Sequence, residues 1–152
     1  MTKEQIAIIK ECVPILQKNG ESLTKEFYRV LFETYPEVKP MFNKDKQVSS
    51  EQPKALALAI LMAAKNIENL ENTRGFVEKV AKTHISLNVK EEHYPLVGEC
   101  LLKAIKNLLN PNDEVLKAWE AVYGKIAQFY IDIEKSSMKS KNNQVLRKPN
   151  YF

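Results

Sequence analysis

Glycine is scarce in this chain. Four glycines in 152 residues are too few to punctuate the turns of a sheet protein, and no run of alternating β-branched residues suggests strands. Cysteine is nearly as rare. Cys12 and Cys100 form neither a CxxC pair nor a CxxCH site, so neither a thiol-ligated metal nor a thiol-tethered cofactor is supported, and free thiols suit a reducing compartment. The longest apolar stretch, Ala55 to Ala64, is about half of the ~20 residues that cross a bilayer, which predicts no membrane span. Lysines lie at both ends of the first ten residues and no small-residue cleavage site follows, so the start does not read as a signal peptide, and a cytoplasmic location is expected. GxGxxG, GxxxxGK[ST], HExxH and GxSxG are all missing, which removes the common nucleotide, zinc-protease and serine-hydrolase readings.

The chain has 23 basic and 19 acidic residues, and the imbalance is local. The segment Ser136 to Phe152 holds Lys139, Lys141, Arg147 and Lys148 and no acid. With those four set aside, the rest of the chain carries 19 charges of each sign. A neutral body offers no basic face for phosphate, so nucleic acid is not expected as a partner, and the basic segment reads as a solvated, frayed end. The expected division is a folded domain over 1–135 and a basic C-terminal tail over 136–152.

The residues that are plentiful point to helices. With 44% apolar and 28% charged residues, the chain suits one domain with a real core, and Lys, Glu, Leu and Ala are good helix formers. Ile6, Ile9, Val13 and Leu16 make a first stripe that Asn19-Gly20 is expected to stop, with Pro14 predicting a kink or a later start. Leu23, Phe27, Val30, Leu31 and Thr34 make a second, followed by a tight corner from Tyr35-Pro36 to Pro40-Met41-Phe42. Ser49 to Pro53 reads as a helix start that leads into Leu56, Ile60, Ala63 and Ile67. Phe76, Val80, His84 and Leu87 share a face; Val97, Leu101, Ala104 and Leu108 follow Pro95; Asn110-Pro111-Asn112-Asp113 breaks and recaps the chain. Val115, Trp119, Val122, Ile126, Phe129 and Ile133 mark the last helix. The fold class is all-α.

A few polar residues sit where apolar ones are expected. His84 lies in the stripe of Phe76 and Val80, and such an imidazole is either a core histidine satisfied by a carbonyl or a metal ligand. His93, between Glu92 and Tyr94 at a helix start, reads as exposed and structural. Tyr28 either points inward, where its hydroxyl needs a partner, or stands at the core edge with that hydroxyl in water. Gln52 has a plain reading as the return half of a Ser49-x-x-Gln52 capping box. Glu134, on the Tyr123, Ala127 and Tyr130 edge of the last helix, reads as a rim carboxylate, and Phe42 as a core anchor. Tyr94 stays ambiguous.

In order along the chain these residues resemble a family pattern. The runs are Phe27-Tyr28, Tyr35-Pro36-Glu37-Val38-Lys39-Pro40-Met41-Phe42, Glu51-Gln52-Pro53-Lys54-Ala55-Leu56-Ala57, Asn66-Ile67-Glu68-Asn69-Leu70, His84, and His93-Tyr94-Pro95-Leu96-Val97-Gly98. From Thr2 to about Lys135 the chain resembles the bacterial globins related to flavohaemoglobins, above all the single-domain Vitreoscilla-type and Campylobacter-type haemoglobins. The resemblance implies a globin fold around one non-covalent b-type haem, with His84 as the proximal iron ligand. It implies that Phe42, Pro53, Leu56, Val80 and Val97 line the cofactor, that Tyr28 and Gln52 face the open iron position, and that Tyr94 and Glu134 lie behind His84. Thr83 stands where many relatives carry lysine, which removes any charge contact from there to a haem propionate.

The chemistry these roles imply is coherent. An imidazole that donates its second N–H to a carboxylate gains imidazolate character and pushes electron density onto iron. A phenol and an amide opposite it would stabilise oxygen as it takes on negative charge. The implied ligands are O2, NO and other small gases, and the implied reaction is oxidation of nitric oxide to nitrate, a nitric oxide dioxygenase activity served by a separate electron-donating reductase. Storage, delivery or sensing of oxygen is the alternative with the same residues, and a haem-free helical interaction domain with His84 simply buried is the third reading.

Overall fold

A computed structural model describes residues 1–42 and 51–146, with side chains for 1–42 and 54–139. Among the described residues there are helices and no strands, as the glycine-poor, alanine- and leucine-rich composition predicts. Helix α1 runs Lys3–Thr34. A 3-10 corner, Pro36–Met41, leads to Phe42. Then come α2, Glu51–Lys65; a short 3-10 turn, Leu70–Thr73; α3, Arg74–Ser86; α4, His93–Leu109; and α5, Asp113–Leu146. None of these helices is long and apolar enough to cross a membrane.

The ends follow local chemistry. Thr2 caps α1 in a reciprocal box with Gln5, each side chain meeting the other's backbone N–H at about 3 Å. Pro36 opens the corner, where its fixed φ suits a turn. Asn110 ends α4 in the left-handed region at φ 40, and the Asn112 side chain accepts from Val115 N at 3.0 Å to start α5.

Three sequence expectations need correction. Gly20 does not stop a helix: α1 continues through it, and Pro14 lies inside the same helix, which does not start later. The reason is packing, because Gly20 is buried where α2 crosses, and a Cβ built on it would stand 3.3 Å from the Ala57 Cβ. The tail is not frayed from Ser136: α5 continues to Leu146, and no glycine or proline interrupts 125–148. Leu87 and Leu108 sit outside the core, at 41% and 46% exposure. Leu87 is the C-cap of α3 and Leu108 lies in the last turn of α4, where Ile105 fills the core position instead. The proposed cap at Ser49 and the side chains of Gln52 and Pro53 lie outside the described residues.

The core has two parts. The larger joins α1, α2, α4 and the first half of α5 around Phe27, Leu31, Ile67, Ile105 and Val122. The smaller joins α3 to the second half of α5 through Val77, Ala81, Tyr130 and Ile133. Helix α3 leans on α5 and on the turn before it. Several apolar side chains on the borders stay half-buried, namely Phe42, Leu56 and Val97 on the larger cluster and Phe76 and Val80 on the smaller. On α3 the fully buried positions are Val77 and Ala81, one step from the stripe of Phe76, Val80 and His84, so that stripe borders the core without being sealed in it.

Candidate functional site

His84 projects from the last turn of α3. Its side chain is 28% exposed, and its Nδ1–H donates to Glu134 Oε1 at 2.7 Å. Glu134 comes from α5 and is buried at 7%, so the rim reading of this carboxylate does not hold. It is brought inside by the turn of α5 that also buries Tyr130, Ile131 and Ile133. A buried carboxylate must be paired and hydrogen-bonded, and Glu134 is. The Tyr94 hydroxyl, from the first turn of α4, donates to the same oxygen at 2.5 Å and lies 3.3 Å from His84 Nδ1. Three helices therefore converge on one imidazole nitrogen.

Tyr94 is itself held. The Tyr123 hydroxyl on α5 donates to the Tyr94 carbonyl at 2.6 Å. The Tyr123 ring reaches that far because position 98 is glycine: a Cβ there would stand 2.5 Å from Tyr123 Cε1 and 2.7 Å from Cδ1. Tyr123 and Gly98 were not singled out in the sequence as site residues. The signal was available, since Gly98 falls one helical turn after Tyr94 and inside an otherwise good helix former's stretch. His93, by contrast, is half-buried and accepts from the Lys90 N–H at 2.9 Å, a local cap with no link to His84.

The phenols here are donors and stay so. Burial first, and then the bond to Glu134, pushes Tyr94 far above its ordinary value. Burial also raises Tyr123 and, with the nearby Glu134 charge, lifts Tyr130 to about 12.

A second polar residue faces the other part of the core. Tyr28 on α1 is buried at 6%, so its inward reading holds. Its ring meets Phe27 edge-on at 4.9 Å and Phe42 at 5.4 Å, and tilts against Phe32 at 5.7 Å. Phe42 reaches this group because the corner after α1 returns the chain, with Val38 N bonded to Tyr35 O and Phe42 N to Lys39 O, both at 3.1 Å. Leu56, Val80 and Val97 are the half-buried border residues named above. Gln52 and Pro53 precede Leu56 on α2, with side chains outside the described residues.

The donor set limits what His84 can hold. Among the described residues no group of three or more His, Cys, Asp or Glu could hold a metal ion, whereas a bare transition ion takes about four protein ligands. A single imidazole suits a metal that brings its other ligands with it. With Nδ1 occupied by Glu134, Nε2 is the nitrogen left to coordinate, and it makes no hydrogen bond among the described residues. The half-buried apolar borders of both clusters match a flat, largely apolar chelate.

Comparison with known proteins agrees with this picture. The globin family profile matches residues 25–129. A bacterial globin from Campylobacter jejuni superposes with a TM-score of 0.89 at 75% identity, over 91% of this chain and 99% of that one. A flavohemoprotein of Pseudomonas putida is 43% identical over 144 residues, which is 93% of this chain and 37% of that relative. The chain thus spans little more than a third of the curated flavohemoproteins it matches. A flavohemoglobin from Malassezia yamatoensis, solved with bound FAD and heme, superposes with a TM-score of 0.80 at 26% identity, over 89% of this chain and 37% of that one.

Proposed function

The chain belongs to the globin family and is a haem-binding globin for small gaseous ligands, and from that premise we propose that it oxidises nitric oxide to nitrate, drawing electrons from a partner reductase. The cofactor is a b-type haem. When bound, the haem supplies the iron at which O2 and NO meet. His84 would hold it through Nε2. Phe42, Pro53, Leu56, Val80 and Val97 would flank it and keep water away.

The observation that carries the proposal is the clamp behind His84. A globin that only stores oxygen needs an imidazole; it does not need a buried carboxylate 2.7 Å from that imidazole's other nitrogen. The carboxylate draws the Nδ1 proton toward itself, which makes the ring a stronger electron donor through Nε2. Tyr94 keeps Glu134 in place by donating to the same oxygen. Such a push favours activation of oxygen over simple release. Tyr28, and Gln52 on the helix that carries Leu56, would donate hydrogen bonds to oxygen as negative charge builds on it in a site shielded from water.

Stopped-flow mixing of the oxygenated protein with NO, with reductant supplied for many cycles, tests this. Rapid conversion to nitrate that repeats with each reduction is expected. A slow reaction, or one that stops after a single equivalent, would move the assignment to an oxygen carrier or sensor.

A further inference from the structure

Glu134 Oε1 accepts two hydrogen bonds, from His84 Nδ1 at 2.7 Å and from the Tyr94 hydroxyl at 2.5 Å. Orienting the imidazole accounts for the first. The second has a chemical consequence of its own. A phenol gives up an electron readily only when its proton leaves in the same event, and a carboxylate already seated on the phenolic oxygen is the acceptor that permits this. The same hydroxyl lies 3.3 Å from His84 Nδ1, and the two ring centroids are 6.4 Å apart. The oxidisable ring is thus in contact with the imidazole that would hold the iron. Its backbone is pinned as well, by the Tyr123 hydroxyl at 2.6 Å from the Tyr94 carbonyl.

We propose that Tyr94 is an internal one-electron donor when a hydroperoxide is cleaved at the haem, its phenolic proton passing to Glu134. The inference rests on the haem reading given above. Opening the O–O bond of the hydroperoxide consumes two electrons and two protons and yields an alcohol and water. One electron comes from ferrous iron, which ends ferric, and one from Tyr94. The Tyr94 O–H bond breaks, the proton moves to Glu134 Oε1, and the ring keeps an unpaired electron; solvent supplies the two protons that the cleaved oxygens take up. Tyr94 is half-buried at the start of α4, so a small reductant can reach the ring and restore it. The donor would spare the haem and the buried Trp119 from oxidation during peroxide exposure.

The test uses the haem-loaded protein, reduced to the ferrous form, and tert-butyl hydroperoxide. Samples frozen within the first turnover are read by electron paramagnetic resonance, with ring-deuterated tyrosine to identify the signal, and a nitroso spin trap followed by peptide mass spectrometry locates the radical. A tyrosyl signal with the trap on Tyr94, lost in Tyr94→Phe and kept in Tyr130→Phe, is expected. Glu134→Gln should slow its appearance, because the proton acceptor is gone. Should Tyr94→Phe fail to hold haem, trap mapping on the unaltered protein decides alone. A trap found on Tyr28, Tyr130 or Trp119 and not on Tyr94, or no protein radical at all, overturns the proposal. Failure of the haem reading looks different, since purified protein would then show no Soret band with or without added haemin.

Discussion

His84 and Tyr28 are both aromatic side chains on helices, and their described surroundings differ. Behind His84 the positioning is directional. Glu134, Tyr94 and Tyr123 form a relay of hydrogen bonds of 2.7, 2.5 and 2.6 Å that crosses three helices. Around Tyr28 shape has a large share, with Phe27, Phe32 and Phe42 packed at 4.9 to 5.7 Å in a cluster of rings. Hydrogen bonds fix an angle and a proton; packed rings fix a place and exclude water. On the reading proposed above, the side that would tune an electron donor uses the first device, and the side that would keep a small gas away from solvent uses the second.

The largest effect that can test this contrast is on the imidazole itself. His84→Gly should abolish the Soret absorbance of protein mixed with haemin, and free imidazole should restore it, because on the proposed reading one nitrogen would supply the protein's whole bond to the iron. Two conservative changes then separate the sides. Tyr28→Phe keeps the ring and removes the hydroxyl. The loss of one charge-assisted bond of about 1.5–3 kcal/mol should raise the oxygen dissociation rate about ten- to a hundred-fold, read by flash photolysis, with the redox potential unmoved. Glu134→Gln should do the reverse. It removes the negative charge that faces His84 Nδ1, so the iron–histidine stretch should fall and the potential should rise, while oxygen dissociation changes little. A potential that shifts in Tyr28→Phe and stays fixed in Glu134→Gln would erase the distinction between the two sides.

Much of this was legible in the residues, and the exceptions share a cause. The stripe of Phe76, Val80 and His84 placed the imidazole on an apolar face, and the resemblance named Tyr94 and Glu134 behind it. Spacing alone read Glu134 as a rim carboxylate, because burial of a charge depends on partners from other helices that a single helix's pattern does not contain. Gly20 was misread for the same reason. A glycine at the end of a stripe looks like a stop until the neighbour is known, and here the neighbour is Ala57 on α2. Tyr123 was placed on the edge that carries Glu134 but not read as a site residue, because its hydroxyl meets a backbone carbonyl, and a carbonyl acceptor leaves no mark on the sequence. Local chemistry was readable; contacts between helices were not.

Gly20 and Gly98, two of the four glycines that lie in helices, turn that lesson into the smallest and most discriminating test. Glycine within a helix costs roughly 1 kcal/mol against alanine, so replacing it should stabilise wherever space allows. At Gly20 the new methyl would meet the Ala57 Cβ at 3.3 Å, tight by a few tenths of an ångström, and a slight shift of α2 would offset most of the propensity gain. At Gly98 it would stand 2.5 Å from a Tyr123 ring carbon. That ring cannot slide away without releasing the hydroxyl from the Tyr94 carbonyl. Gly98→Ala should therefore cost about 1–3 kcal/mol by overpacking and should also move the iron–histidine stretch, because Tyr94 and then Glu134 shift with it. Gly20→Ala should stay within about 0.5 kcal/mol of the parent once propensity and crowding cancel, with the stretch unchanged. Denaturant melts and resonance Raman spectra of the two variants decide the matter. A Gly98→Ala protein with normal stability and a normal stretch would mean that the relay behind His84 does not depend on Tyr123.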